Sequence, residues 1–398
     1  MDKNNGAIYD ARKLGKPKMI ILGVQHMFAM FGATILVPIL TGLDISTTLL
    51  MAGLGTLLFH CITKFKVPAF LGSSFAFLGG YAAIKAFSPN DPNSMLPYAC
   101  LGVACAGLIY FILAAVIKAV GIEKVMRFFP PVVTGPIIIA IGLGLAPSAV
   151  SNCTTNWFLA VVALAVIVVF NIWGKGMAKI IPIILGLLIS YGTGLVLYFI
   201  SQANPDLIQN VPWLFSGGAD ANGVYQPIFD FTSLNTICDN ISKGHIFGSE
   251  GLIGIPIHWD KTVFGGIDYS NGALIASSII AIVPIAFATM MEHIGDICAI
   301  SSTTGNNYIK DPGLHRTLVG DGLATTLASL FGGPANTTYG ENTGVLALTR
   351  VYDPRVIRIA AYFAVAVSFF PIVSVIIGSI PSCIIGGISF VQIGRAHV

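Results

Sequence analysis

Four carboxylates stand in stretches otherwise apolar enough to cross a bilayer, and they define the chemistry to look for. Glu292 and Asp296 lie four apart in Met291-Glu292-His293-Ile294-Gly295-Asp296. Four residues is about one helical turn, so a helix puts both on one face. Two carboxylates so placed repel when both are ionised, and in a low dielectric one of them holds a proton near neutral pH. A carboxyl group that takes a proton on one side of a membrane and releases it on the other is what proton coupling requires. Asp321 stands in Gly320-Asp321-Gly322, and Glu341 follows Tyr339-Gly340. Each would be expensive in lipid unless it faced a cavity or a partner.

Two unusual segments lie near these acids. Residues 68–75 read Pro-Ala-Phe-Leu-Gly-Ser-Ser-Phe, and residues 333–342 read Gly-Pro-Ala-Asn-Thr-Thr-Tyr-Gly-Glu-Asn. Both put Gly, Pro and hydroxyl residues where a spanning helix would be apolar. A helix broken there leaves main-chain N–H and C=O groups for a ligand. Ser74 and Gly340 can offer N–H donors, and Phe75 and Tyr339 can offer flat ring faces. His26 and His293 also fall within spans, where hydrogen-bonded structural roles are the ordinary reading.

The remaining composition describes a membrane protein. Of 398 residues, 55% are hydrophobic and 10% charged, too few charges to cover a soluble globule of this size. Apolar runs of spanning length fall at roughly 18–41, 45–63, 68–86, 97–121, 129–149, 156–173, 178–201, 271–300, 315–332, 336–349, 356–378 and from 381. With the N-terminus in the cytoplasm, the inside loops hold Lys64 and Lys66, then Lys118, Lys124 and Arg127, then Lys175 and Lys179. Lys310 and Arg316 follow, then Arg350, Arg355 and Arg358. The outside holds only Lys85, Lys243 and Lys261, so the positive-inside rule fixes the orientation. Seven spans precede the polar stretch 202–268, whose Trp213 and Trp259 suit a membrane interface. An odd count starts the second set from the opposite side, as in an inverted repeat. The two broken segments are then the third span of each half, the usual pointer to a transporter's binding site. None of the seven cysteines forms a CxxC pair, and no metal, nucleotide-phosphate or Ser/His/Asp pattern occurs. Neither an enzyme, a cofactor, a metal site nor nucleic-acid binding is expected.

The chain resembles the nucleobase–ascorbate transporter family, in particular its bacterial uracil-transporting members. The resemblance runs from Gln25-His26 and Phe31-Gly32-Ala33-Thr34 to Gly386-Gly387-Ile388-Ser389-Phe390. Its most specific part is Glu341-Asn342-Thr343-Gly344 continuing to Thr349-Arg350. Asp311-Pro312-Gly313-Leu314-His315-Arg316 and Asn336-Thr337-Thr338-Tyr339-Gly340 are close to the uracil type. The resemblance implies an all-α polytopic fold of seven plus seven inverted spans, with short strands opening the third and tenth. It implies a cytoplasmic N-terminus over 1–17, core spans over 18–122 and 269–378, and gate spans over 123–201 and 379–391. Residues 202–268 would form an extracytoplasmic loop. The abruptly polar tail 392–398 reads as an appended sequence, so two further spans are expected to be missing.

The same resemblance implies that Glu292 and Glu341 hold the base, with Ser74, Phe75, Tyr339 and Gly340 completing the pocket. Glu292, Asp296 and Asp321 would couple the proton, and His26, Asn342 and Thr349 would support the site. The implied activity is uracil uptake with a co-transported proton, by alternating access, in a bacterial cytoplasmic membrane. A homodimer is compatible with it. Uracil offers N–H donors flanked by carbonyls, which suits carboxylates beside main-chain amides. Asp296 departs from the histidine of the best-known uracil carriers, and Asp321 from an asparagine. Acidic residues there also occur in xanthine and urate carriers, the alternative substrates. An anion transporter of the same fold would need a cation in the broken segments, and they hold no Lys or Arg.

Overall fold

A computed structural model describes residues 7–121, 123, 124, 136, 139, 143 and 146–396, without the side chains of 177, 180, 341 and 392–396. The apolar runs form helices where they are described, except that 68–86 and 336–349 each include a short strand. The first group comprises α1 (Lys16–Thr41), α2 (Ile45–Ile62), strand β1 (Leu71–Ser73), α3 (Leu78–Lys85) and α4 (Leu96–Val120). The second comprises α5 (Trp157–Trp173), α6 (Pro182–Ala203), β2 (Ser216–Ala219), β3 (Tyr225–Pro227) and α7 (Thr232–Ser242). The third comprises α8 (Gly272–Ile282), α9 (Ile285–Thr304), α10 (Leu314–Leu330), β4 (Asn336–Thr338), α11 (Gly340–Thr349) and α12 (Pro354–Ser368). Last come α13 (Pro371–Gly378) and α14 (Ser382–Ala396). Among the described residues five segments are long and apolar enough to cross a membrane: Lys16–Thr41, Ile45–Ile62, Pro92–Val120, Pro182–Ala203 and Gly272–Thr304. The expected span over 129–149 lies largely outside the described residues.

Local chemistry sets the helix ends. Helix α1 has Pro17 in its first turn and ends at Gly42, whose φ of 86° is left-handed. Asp44 caps α2 by accepting from the Thr47 N–H at 2.7 Å. Asp353 caps α12 and also accepts the Ala11 N–H at 2.7 Å, which ties the N-terminal segment to that helix. Prolines interrupt the helical hydrogen bonding of two expected spans. The run 271–300 is two helices meeting at Val283 and Pro284, because proline removes an N–H and crowds the preceding turn. The run 356–378 likewise stops at Ser368 and restarts at Pro371.

The chain divides into two compact units, residues 1–137 with 255–370, and 138–254 with 371–398. The stretch 202–268, expected as one loop, is therefore shared between them. In the second unit α5, α6 and α14 pack together, and the Ser190 hydroxyl donates to the Leu159 carbonyl at 2.8 Å. The hairpin β2–β3 and a ring cluster of Tyr198, Phe229 and Phe231 follow, the two phenylalanines stacked at 5.2 Å.

The first unit holds every candidate site residue. Its largest core cluster joins Val103, Ala106 and Tyr110 of α4, Met290 and Ile294 of α9, and Leu318 and Ala324 of α10. Helices α4 and α10 touch backbone to backbone. A Cβ on Gly107 would lie 2.7 Å from the Gly322 carbonyl, and one on Gly322 would lie 2.6 Å from the Gly107 carbonyl. Such small residues allow the close approach that drives helix association in lipid. Gly322→Val should lower thermal stability by about 1–3 kcal/mol through overpacking. Fluorescence-detected melting of the detergent-solubilised protein would measure it, and an unchanged melting point would refute the contact.

Candidate functional site

The site begins with a two-stranded ladder. Strands β1 and β4 run antiparallel, pairing Leu71 with Thr338, Gly72 with Thr337 and Ser73 with Asn336. Three residues a side cannot satisfy their own backbone, and an unmet buried polar group is costly in lipid. Neighbouring side chains supply the rest. The Thr56 hydroxyl on α2 accepts the Leu71 N–H at 2.9 Å. The Asn336 amide donates to the Met51 carbonyl at 3.0 Å, and Thr325 on α10 donates to the Asn336 carbonyl at 2.6 Å. The Ser73 hydroxyl donates to the Thr34 carbonyl of α1 at 3.0 Å. Hydrogen bonds to α1, α2 and α10 thus hold the two strands within an apolar unit.

Helix α9 brings the acidic residues to this ladder. Glu292 and Asp296 are half-buried, and His293 between them is fully buried. The Thr338 hydroxyl at the end of β4 donates to Asp296 Oδ2 at 2.7 Å. A Cβ on Gly340 would lie 3.8 Å from Asp296 Oδ1, so this carboxylate sits beside the start of α11. First-turn N–H groups there have no partner within the helix and favour a negative charge. Asp321 on α10 is fully buried, and its Oδ2 lies 3.3 Å from His293 Nδ1. His293 Nδ1 is also 3.4 Å from the Thr338 hydroxyl. Asp321, His293, Thr338 and Asp296 therefore form one polar chain across α10, α9 and β4.

A second polar link joins α11 to α1. Asn342 is buried, and its amide nitrogen lies 3.2 Å from both His26 Nδ1 and the His26 carbonyl. The amide has two protons, one for each acceptor, so Nδ1 accepts and the imidazole proton rests on Nε2.

The model of the xanthine/uracil group, described as "Permease family", matches residues 17–395. The chain belongs to this permease family. It is 38% identical over 386 residues to the uracil permease of Bacillus caldolyticus, covering 94% of this chain and 77% of that one. It is 37% identical over 388 residues to the uracil permease of Bacillus subtilis, with coverage of 94% and 77%. Among solved structures it resembles the transmembrane domain of the cyanobacterial bicarbonate transporter BicA, with a TM-score of 0.66 at 14% identity. That likeness covers 98% of this chain and 91% of the other. The protein is a multi-pass membrane transporter, mostly helical, with short strands opening two of its spans.

The permease places its other candidate residues as follows. Ser74 is buried, and its N–H donates to the Ala335 carbonyl at 2.8 Å. The Tyr339 N–H donates to the Phe70 carbonyl at 3.0 Å. Both N–H groups thus hold the strands together. The Tyr339 ring is buried in the core with Met30 and Phe70, while Phe75 is half-buried against the same cluster. Phe75 is thus the more open of the two rings. Gly340 and Glu341 open α11, with the Glu341 side chain outside the described residues. Thr349 lies at the far end of α11, about 13 Å along the axis from Gly340 at helical rise. Its hydroxyl donates to the Val345 carbonyl at 2.8 Å, within its own helix. Sequence reasoning missed Thr338 as the partner of Asp296 and His293 as the partner of Asp321. The adjacency of His293 to Glu292 was the only signal.

Proposed function

We propose that the protein imports uracil together with a proton across a bacterial cytoplasmic membrane, its N-terminus in the cytoplasm. The observation that carries this reading is the convergence of carboxylates on a broken-span ladder. Asp296 is held by Thr338 beside the start of α11, with Glu292 one turn earlier on α9 and Glu341 in the first turn of α11. A carboxylate accepts from a base N–H, and main-chain N–H groups at the start of α11 donate to its carbonyls. The relatives named uracil permeases support uracil as the base. The proton would be carried on the Glu292, Asp296 and Asp321 carboxylates, because crowded acids in a low dielectric cannot all stay ionised. Transport would proceed by alternating access, with 18–122 and 269–378 as the core and 123–201 and 379–391 as the gate.

The test is uptake of labelled uracil at acidic and at neutral external pH, with and without a protonophore. Uptake should rise at acid pH and collapse with the protonophore. No uracil uptake by protein shown to be in the membrane would overturn the reading. Xanthine uptake under the same conditions would assign Asp296 and Asp321 to a purine carrier.

A further inference from the structure

One fully buried group in this site has no role in the mechanism above: the imidazole of His293. We propose that His293 is a positioning residue, sharing one proton with Asp321 and, through Thr338, fixing Asp296 at the start of α11. The inference deepens the reading of the site as a proton-coupled uracil carrier and rests on it.

Hydrogen-bond direction assigns the proton on Nδ1. Thr338 donates its hydroxyl proton to Asp296 Oδ2 at 2.7 Å. A hydroxyl has a single proton, so its oxygen turns an acceptor lone pair toward His293 Nδ1, 3.4 Å away. Nδ1 therefore carries hydrogen, and the same edge of the ring faces Asp321 Oδ2 at 3.3 Å. The other nitrogen, Nε2, is buried without a hydrogen-bond partner among the described residues.

Burial assigns the second proton. Both side chains have 0% exposure. Neither Asp321 oxygen has a well-formed hydrogen bond among the described residues, so the imidazole is the one compensating group in contact. An ionised Asp321 beside a neutral ring would leave a bare negative charge away from water, which is heavily penalised. One added proton makes the pair neutral overall, whether it rests on the carboxyl or on Nε2. Among the described residues the surroundings supply no other compensating charge. From α2 the ring meets Phe59, edge-on at 6.2 Å, which is uncharged. From α4 comes Tyr110, whose hydroxyl donates to Thr289 at 2.6 Å and lies in electrostatic reach of Asp321 and Glu292. From β4 comes Thr338, and on α9 itself Glu292 and Asp296 add only acid.

The test compares His293→Gln, Asp321→Asn and the double variant in cells lacking their own uracil uptake, with membrane levels matched. His293→Gln should reduce uptake about tenfold. It should also move the alkaline limb of the pH profile up by about one unit or more, because Asp321 must then keep a proton alone. Asparagine needs no counter-charge, so the double variant should be no worse than Asp321→Asn. An unshifted profile, or losses that multiply in the double, would overturn the proposal. A readout independent of substrate is nitrogen NMR of histidine-labelled protein in bilayers, the His293 signal being the one absent from His293→Gln. It should report a protonated Nδ1 and should move in Asp321→Asn. A signal indifferent to Asp321→Asn overturns the pairing whatever the substrate. A responsive signal in a protein that takes up no uracil upholds the pairing and overturns the uracil reading instead.

Discussion

Glu292→Gln should nearly abolish uracil uptake, by about a hundredfold, with the protein present in the membrane at its normal level. The change conserves shape, so the packing of α9 is preserved. It removes the negative charge and the capacity to hold a proton. A hydrogen bond to a charged acceptor contributes about 1.5–3 kcal/mol, or roughly a ten- to a hundredfold in binding. Loss of the coupling proton adds to that. Equilibrium binding of labelled uracil to purified protein separates the two effects. Weakened binding together with lost uptake is the expected pair of results. Normal uptake by Glu292→Gln would remove Glu292 from the site. Glu341→Gln, measured alongside, should also lose uracil uptake. A gain in xanthine uptake there would mark Glu341 as a selector between bases.

The broken spans were legible because of their chemistry. Gly72-Ser73-Ser74 and Asn336-Thr337-Thr338 are poor helix material in lipid, and the structure makes strands of Leu71–Ser73 and Asn336–Thr338. Their register was not legible. It depends on Thr56, Asn336 and Thr325 meeting main-chain groups of other elements, and hydropathy carries no record of such meetings. The pairing of Glu292 with Asp296 on one face could be read from spacing alone. The contact between His293 and Asp321 could not, since it depends on how closely α10 approaches α9. The inward turn of the Tyr339 ring was hidden for a related reason. An aromatic beside a glycine reads equally well as a stacking face or as a core residue, and only its hydroxyl partners decide. The breaks at Pro284 and Pro371 were visible as prolines. Proline also occurs inside continuous spanning helices, as Pro38 does in α1, so composition alone could not separate a kink from an end.

Gly72→Val should abolish uptake and destabilise the protein by several kcal/mol, because it strikes the ladder on which the acids depend. A Cβ at residue 72 would fall 2.5 Å from the Tyr339 ring and 2.8 Å from the Thr34 hydroxyl. That ring cannot swing away freely. Its hydroxyl donates to the Ser73 carbonyl at 2.9 Å and accepts from Thr34 at 3.3 Å, and the residue is 5% exposed. Overpacking costs about 1–3 kcal/mol. Each buried polar group left without a partner adds about 1–3 kcal/mol more. Displacing Tyr339 also shifts its neighbours Thr338 and Gly340, the groups that place Asp296, so transport should fail even in protein that still folds. Two measurements separate the causes. Tyr339→Phe keeps the ring and loses only the hydroxyl, so it should lower the melting point modestly while retaining most uptake. Gly72→Ala combined with Tyr339→Leu opens space beneath the new methyl group and should recover part of the stability lost by Gly72→Ala alone. Wild-type stability and uptake in Gly72→Val would mean that this ring does not pack against the strand, and the ladder would lose its part in positioning the carboxylates.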